Sequence, residues 1–114
     1  MDLRAILNEA IATGEKAKHE CEESLKARAG EENWTDLDSC GFTWIRLKDC
    51  QLFRSIEELD MPEAKCSFLD GDLILRLKTV SDYFFFSCSY DALQAVAHSL
   101  KRHGINAAVD CRAD

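Results

Sequence analysis

Leu3, Ile6, Leu7, Ala10 and Ile11 recur at i, i+3, i+4, i+7 and i+8, the spacing of one apolar face on a helix. The stripe predicts a helix over 2–29. Beyond Gly14 it thins to Ala17, Cys21 and Leu25 as the segment becomes strongly charged. Glu22 and Lys26 form a favourable i,i+4 pair there, and Gly30 is a suitable C-terminal stop. The first three turns are expected to dock and the last turns to project or fray. Ala10, Gly14, Ala17 and Cys21 also make a small-residue seam, so a homodimer through this helix is a second use for it. Residues 31–40, "EENWTDLDSC", read as a polar linker that Trp34 and Leu37 pin to the rest. The division is thus 1–30 helix, 31–40 linker and 41–114 α+β domain.

From Gly41 the period changes. Residues 42–48 alternate as a strand. Leu52, Phe53, Ile56 and Leu59 share one face of a short helix over 50–60, which Met61–Pro62 ends. Leu73, Leu75 and Leu77 alternate with Ile74, Arg76 and Lys78 as a second strand. Cys66–Leu69 adds a short hairpin partner before it, turning at Asp70–Gly71. "DYFFFSCS", 82–89, is predicted as the third strand. Ser89 is then the N-cap of a helix with Leu93, Val96, Ala97 and Leu100 on its apolar face, stopping at Gly104. Residues 106–111 form the last strand. The order β-α-β-β-α-β is that of the split β-α-β, or ferredoxin-like, arrangement. The predicted fold is α+β: a four-stranded antiparallel sheet with two helices on one face, plus the long N-terminal helix.

This order gives each strand an inner and an outer side. Thr43/Ile45/Leu47, Leu73/Leu75/Leu77, Phe84/Phe86/Cys88 and Ala107/Val109/Cys111 are expected to face the helices. The opposite face collects Phe42, Trp44, Arg46 and Lys48, then Ile74, Arg76 and Lys78, then Tyr83 and Phe85, with Arg112 beyond. The strands over 42–48 and 82–89 are expected to be central, placing Phe42, Trp44, Tyr83 and Phe85 mid-sheet. Three uses suit that face. The N-terminal helix covers it, its glutamates pairing with the cations; this reading is preferred. Alternatively the aromatics stack bases, as RNA-recognition sheets do, or the face contacts a protein, where aromatics and Arg are enriched.

Composition narrows the class. The chain has 114 residues, 46% of them hydrophobic, which suits one compact domain with a core. No apolar run approaches the roughly 18 residues of a membrane span, and the N-terminus lacks the features of a secretory signal. A soluble, cytoplasmic protein without membrane contact is expected. Net charge is −7, with ten acids and five bases in 1–40. That acidity argues against non-specific nucleic-acid binding. The six cysteines, Cys21, Cys40, Cys50, Cys66, Cys88 and Cys111, show no zinc spacing. They are expected to be reduced thiols acting as small hydrophobes.

Candidate chemistry is sparse. His19, His98 and His103 read as surface residues, the last favoured by a helix C-terminus. Metalloprotease, nucleophile-elbow and phosphate-loop patterns are absent from the sequence. Asp70-Gly71-Asp72 lacks the remaining ligands of a calcium loop and reads as a turn. No catalytic residue, cofactor or metal is expected.

At "CGFTWIRLKD" and "ALQAVAHSLKRHGINAAVDCRAD" the chain resembles small, uncharacterised proteins of bacteriophages and mobile elements. The shared positions are Cys40, Gly41, Phe42, Trp44 and Ile45, then Gly104, Ile105, Ala107, Arg112 and Asp114. The resemblance spans residues 38–114. It implies a phage origin and brings no catalytic residues. Small acidic single-domain phage proteins without catalytic motifs often act by binding and blocking a host protein. The expected function is therefore a non-catalytic protein-binding module, an inhibitor of a host defence system of the anti-CRISPR kind, working in the host cytoplasm. The alternative is a single-stranded RNA or DNA binder using Trp44 and Phe85. The residues expected to contact the partner are Phe42, Trp44, Arg46, Lys48, Arg76, Lys78, Tyr83 and Phe85, with Glu20, Glu22 and Glu23 on the charged helix.

Overall fold

A computed structural model describes residues 2–30, 41–80 and 86–113, except the side chains of residues 41, 42, 86, 87, 112 and 113. Helix α1 spans Leu3–Ala29, strand β1 Gly41–Leu47 and helix α2 Leu52–Leu59. Strands β2 and β3 cover Ala64–Leu69 and Asp72–Leu77. Helix α3 spans Phe86–Arg102 and strand β4 Ala107–Ala113. From β1 onward the order is β-α-β-β-α-β, as the sequence predicts. The four strands lie in the order β2-β3-β1-β4, and every paired neighbour is antiparallel. This is the split β-α-β connectivity, with β1 and β3 central.

Local chemistry explains several joints. Asp2 caps α1, its carboxylate accepting from Ala5 N at 2.8 Å. Asp70 and Gly71 both have positive φ, 52° and 87°, the backbone a two-residue hairpin turn between β2 and β3 requires. At the end of α3, Gly104 N donates to Lys101 O and Ile105 N to Leu100 O, each at 3.0 Å. That pair of bonds is the glycine stop expected there.

One strand moves. Residues 86–89 form the start of α3 rather than the end of a strand over 82–89, and Ser89 lies buried inside the helix instead of capping it. Cys88, Ala92, Leu93, Val96 and Leu100 are all buried, so the helical period runs back through Cys88. Residues 82–85, and with them Phe84, Tyr83 and Phe85, lie outside the described residues. The fourth strand is β2, pairing with β3 from Ala64↔Leu77 to Leu69↔Asp72. The central partner of β1 is therefore the strand 72–77, not 82–89.

The core forms on one side of the sheet. Ile45, Leu47, Leu73, Leu75 and Leu77 meet Val96, Ala97 and Leu100 of α3, Ile56 of α2, and Leu7, Ala10 and Ile11 of α1. Thr43 is buried on the same side, while Val109 is half-buried and Cys111 exposed at the β4 edge. Helix α1 thus shares the inner side with the other helices. The preferred expectation, that it covers the Trp44 face, is overturned. The reason is close packing: a Cβ on Gly14 would sit 2.6 Å from Val96 Cγ2 and 3.0 Å from Val80 Cγ1. The small-residue seam at Ala10 and Gly14 is occupied by the protein's own α3.

Polar contacts hold α1 along its length. Arg4 donates to Leu59 O at 2.6 Å, and Glu15 accepts from Thr79 Oγ1. Glu9 meets both His103 Nε2, at 2.7 Å, and Arg102, at 3.3 Å. Cys21 and Cys88 are joined by a disulfide, with Cα atoms 5.4 Å apart and a separation of 67 positions in sequence. This corrects the expectation of reduced thiols for that pair. It also keeps the charged half of α1 from projecting, as does Leu25, which is buried.

Candidate interaction surface

The period-2 geometry of β1 sends Trp44, Arg46 and Lys48 away from the core, because Thr43, Ile45 and Leu47 point into it. Register extends this outer face across the sheet. Arg46 lies opposite Ile74 on β3 and Ala108 on β4; Trp44 lies opposite Asp110. On the other flank Lys65 lies opposite Arg76 and Ser67 opposite Ile74. No described helix covers this face.

Trp44 and Arg46 are half-buried, and Ile74 is buried at 5% exposure, whereas Lys48, Lys65, Arg76 and Lys78 are exposed. Arg46 Nε sits 3.1 Å from Asp110 Oδ2. The pair is ionic only: its alignment is too oblique for a hydrogen bond, and Nε has none. Beside these residues, Pro62, Glu63, Lys65, Arg76 and Lys78 line a shallow hollow of about 300 Å³.

The structure therefore gathers five expected contact residues, Trp44, Arg46, Lys48, Arg76 and Lys78, on one surface. Phe42 belongs to β1 by backbone, with its side chain outside the described residues. Tyr83 and Phe85 also lie outside them. Glu20, Glu22 and Glu23 are not brought to this surface. They lie on α1, across the sheet, where Glu23 pairs with Lys26 at 3.4 Å. Helix α1 is not itself acidic, carrying five acids and five bases; the excess acid of 1–40 is in Asp2, Glu31, Glu32, Asp36 and Asp38. Lys65 was missed by sequence reasoning. The weak burial alternation of its strand, in which Phe68 remains 53% exposed, left only the position opposite Arg76 as a signal.

Elsewhere, chemistry-bearing groups stay dispersed. Among the described residues no group of three or more His, Cys, Asp or Glu is placed to hold a metal ion. His19 and His98 are exposed, and His103 is engaged with Glu9. Burial, with Glu57 nearby, pushes the Cys66 thiol from 9.0 up to about 11. Cys50 and Cys111 are exposed free thiols. No helix among the described residues is long and apolar enough to cross a membrane.

No family model, curated protein or solved structure matches the chain.

Proposed function

We propose that the protein is a non-catalytic binding module that engages a partner protein through the outer sheet face. The observation supporting this is the position of α1. The helix that could have covered Trp44, Arg46, Lys48, Arg76 and Lys78 packs on α3 instead. The half-buried Trp44 and Arg46 are of the residue types enriched at protein contact surfaces. The finer reading, a phage protein that inhibits a host defence system in the host cytoplasm, belongs to the same proposal and rests on the sequence resemblance alone.

Affinity capture from host lysate tests it. A stoichiometric protein partner should bind the native chain and be lost with Trp44→Asp, while circular dichroism confirms that the variant remains folded. Capture unaffected by Trp44→Asp, or no stoichiometric partner at all, refutes it. A single-stranded nucleic-acid reading is favoured by one observation, the cations grouped around Trp44. It predicts low-salt binding of labelled oligonucleotides that Trp44→Ala abolishes.

A further inference from the structure

The two edges of the sheet are not alike. The order β2-β3-β1-β4 leaves β2 and β4 outermost. β2 is guarded: Lys65 stands on it, and Ala64 N already donates to Met61 O at 3.3 Å. β4 spans seven residues without Pro, Gly or Lys, and its register with β1 runs unbroken from Ala107 to Ala113. No bulge turns it away, and among the described residues no strand pairs with its far side. The join to β1 sets the direction of its backbone groups. Lys48 N donates to Asn106 O at 3.1 Å. Even-numbered positions of β4 therefore bond β1, while odd-numbered ones, Val109 and Cys111 among them, turn N–H and C=O to the open edge. Side-chain cover also ends there. Val109 lies on the inner side yet is only half-buried, and Cys111 beyond it is exposed.

We infer that β4 pairs antiparallel with β4 of a second copy of this chain, about a two-fold axis through Cys111, joining two four-stranded sheets into one. Charge selects the register. With Cys111 opposite its own counterpart, Asp110 stands opposite the second copy's Arg112, and Arg112 opposite the second copy's Asp110. These are two opposite-charge cross-strand pairs, a stabilising arrangement. Arg112 takes that position by backbone, since it continues β4 opposite Phe42. Sliding one strand by two residues, the smallest step that keeps inner faces together, sets Asp110 opposite Asp110 or Arg112 opposite Arg112. Asp110 keeps its contact with Arg46, 3.1 Å away, because a carboxylate accepts from more than one donor. The same register pairs Val109 with the second copy's Ala113, so the open backbone groups of each edge bond the other. An unrelated strand meets Asp110 and Arg112 without this match, which is why the occupant is a second copy. The two outer faces then continue as one surface that carries Trp44 twice, whatever that surface binds.

Sedimentation equilibrium of the full chain tests the inference, and should give twice the mass of one chain. Arg112→Asp should weaken the dimer about thirtyfold, since two attractive cross-strand contacts become repulsive, while circular dichroism shows the variant folded. Asp110→Arg should do the same. An equimolar mixture of the two variants should dimerise again, because each supplies the charge that the other lacks. Asp110→Arg also removes the partner of Arg46, so a second measurement is independent of it. Diamide, which takes up two electrons and two protons from a pair of thiols, should link native copies through Cys111, whose Cα atoms this register sets about 5.5 Å apart. The covalent dimer should vanish in Cys111→Ser and persist in Cys50→Ser. A monomer, a dimer indifferent to Arg112→Asp, a mixture of folded variants no tighter than its parts, or the lack of a covalent dimer that depends on Cys111 would each overturn it. Phe68 is 53% exposed on the other edge; a dimer lost in Phe68→Asp but kept in Arg112→Asp lies on β2 and overturns it too.

Discussion

Gly14→Ala isolates the contact that sends α1 to the inner side of the sheet. In an exposed helix interior this substitution stabilises by about 1 kcal/mol, since Ala loses less backbone entropy than Gly. At Gly14 the added Cβ would lie 2.6 Å from Val96 Cγ2 and 3.0 Å and 3.2 Å from the two Val80 methyls. Carbon atoms in good contact stand about 3.5–4.0 Å apart, so α1 or Val96 must retreat by about 1 Å. Overpacking of this size costs about 1–3 kcal/mol. The net expectation is destabilisation by about 1 kcal/mol, opposite in sign to the propensity effect. Val96→Ala alone should cost about 2 kcal/mol by leaving a cavity in the core. In that background the clash with Val96 is gone, and Gly14→Ala should be neutral or stabilising. Urea denaturation of the four proteins then yields a coupling energy of about 1–2 kcal/mol, above the roughly 0.3–0.5 kcal/mol scatter of independent sites. Additive effects, or stabilisation by Gly14→Ala in the native background, would refute the packing of α1 on α3 at this point.

Three further outcomes are expected. The Cys21–Cys88 bridge closes a span of 67 residues, which in the chain-entropy treatment stabilises by about 4 kcal/mol; reduction should lower the urea midpoint accordingly, and an unchanged midpoint would contradict the bridge. Cys66, with its thiol raised to about 11, should alkylate well after the exposed Cys50 and Cys111. Because the folded state holds that proton longer than the unfolded chain, stability should fall as pH rises from 9 towards 11; equal alkylation rates for all three thiols would count against its burial. Ser99 is fully buried and its Oγ has no hydrogen-bond partner, so Ser99→Ala should stabilise by about 1 kcal/mol in thermal or urea unfolding, and a loss of stability would reveal a bond that the present geometry lacks.

Elements with strong local signals are legible from sequence. Leu73, Leu75 and Leu77 recur at every second position, with Ile74 the one apolar residue between them, Asp70–Gly71 has the residue types a two-residue turn demands, and Gly104 stops α3. β2 is hard to read because its inward residues are Ala64, Cys66 and Phe68, two of them small and the third half-exposed at an edge. The start of α3 is obscured by the aromatic run before it, since a short apolar stretch carries no decisive period. The side of the sheet that α1 takes is not a local property at all. Its stripe requires a buried face but fits either side, as large apolar residues occur on both: Ile45 and Leu75 inside, Trp44 and Ile74 outside. The choice lies in Gly14 meeting Val96, a contact between residues far apart in sequence. The Cys21–Cys88 pairing is hidden for the same reason. The outer face could still be anticipated from β1 alone, because Thr43, Ile45 and Leu47 must go in and Trp44, Arg46 and Lys48 must then go out.

The outer face as a docking surface for a partner protein is tested most directly by titrating isotopically labelled protein with the captured partner and following backbone amide shifts. Changes should concentrate at Trp44, Lys48, Lys65, Leu69, Arg76 and Lys78, and leave α1 and α3 unmoved. Shifts centred on α1 or α3, or none at low salt, would contradict it.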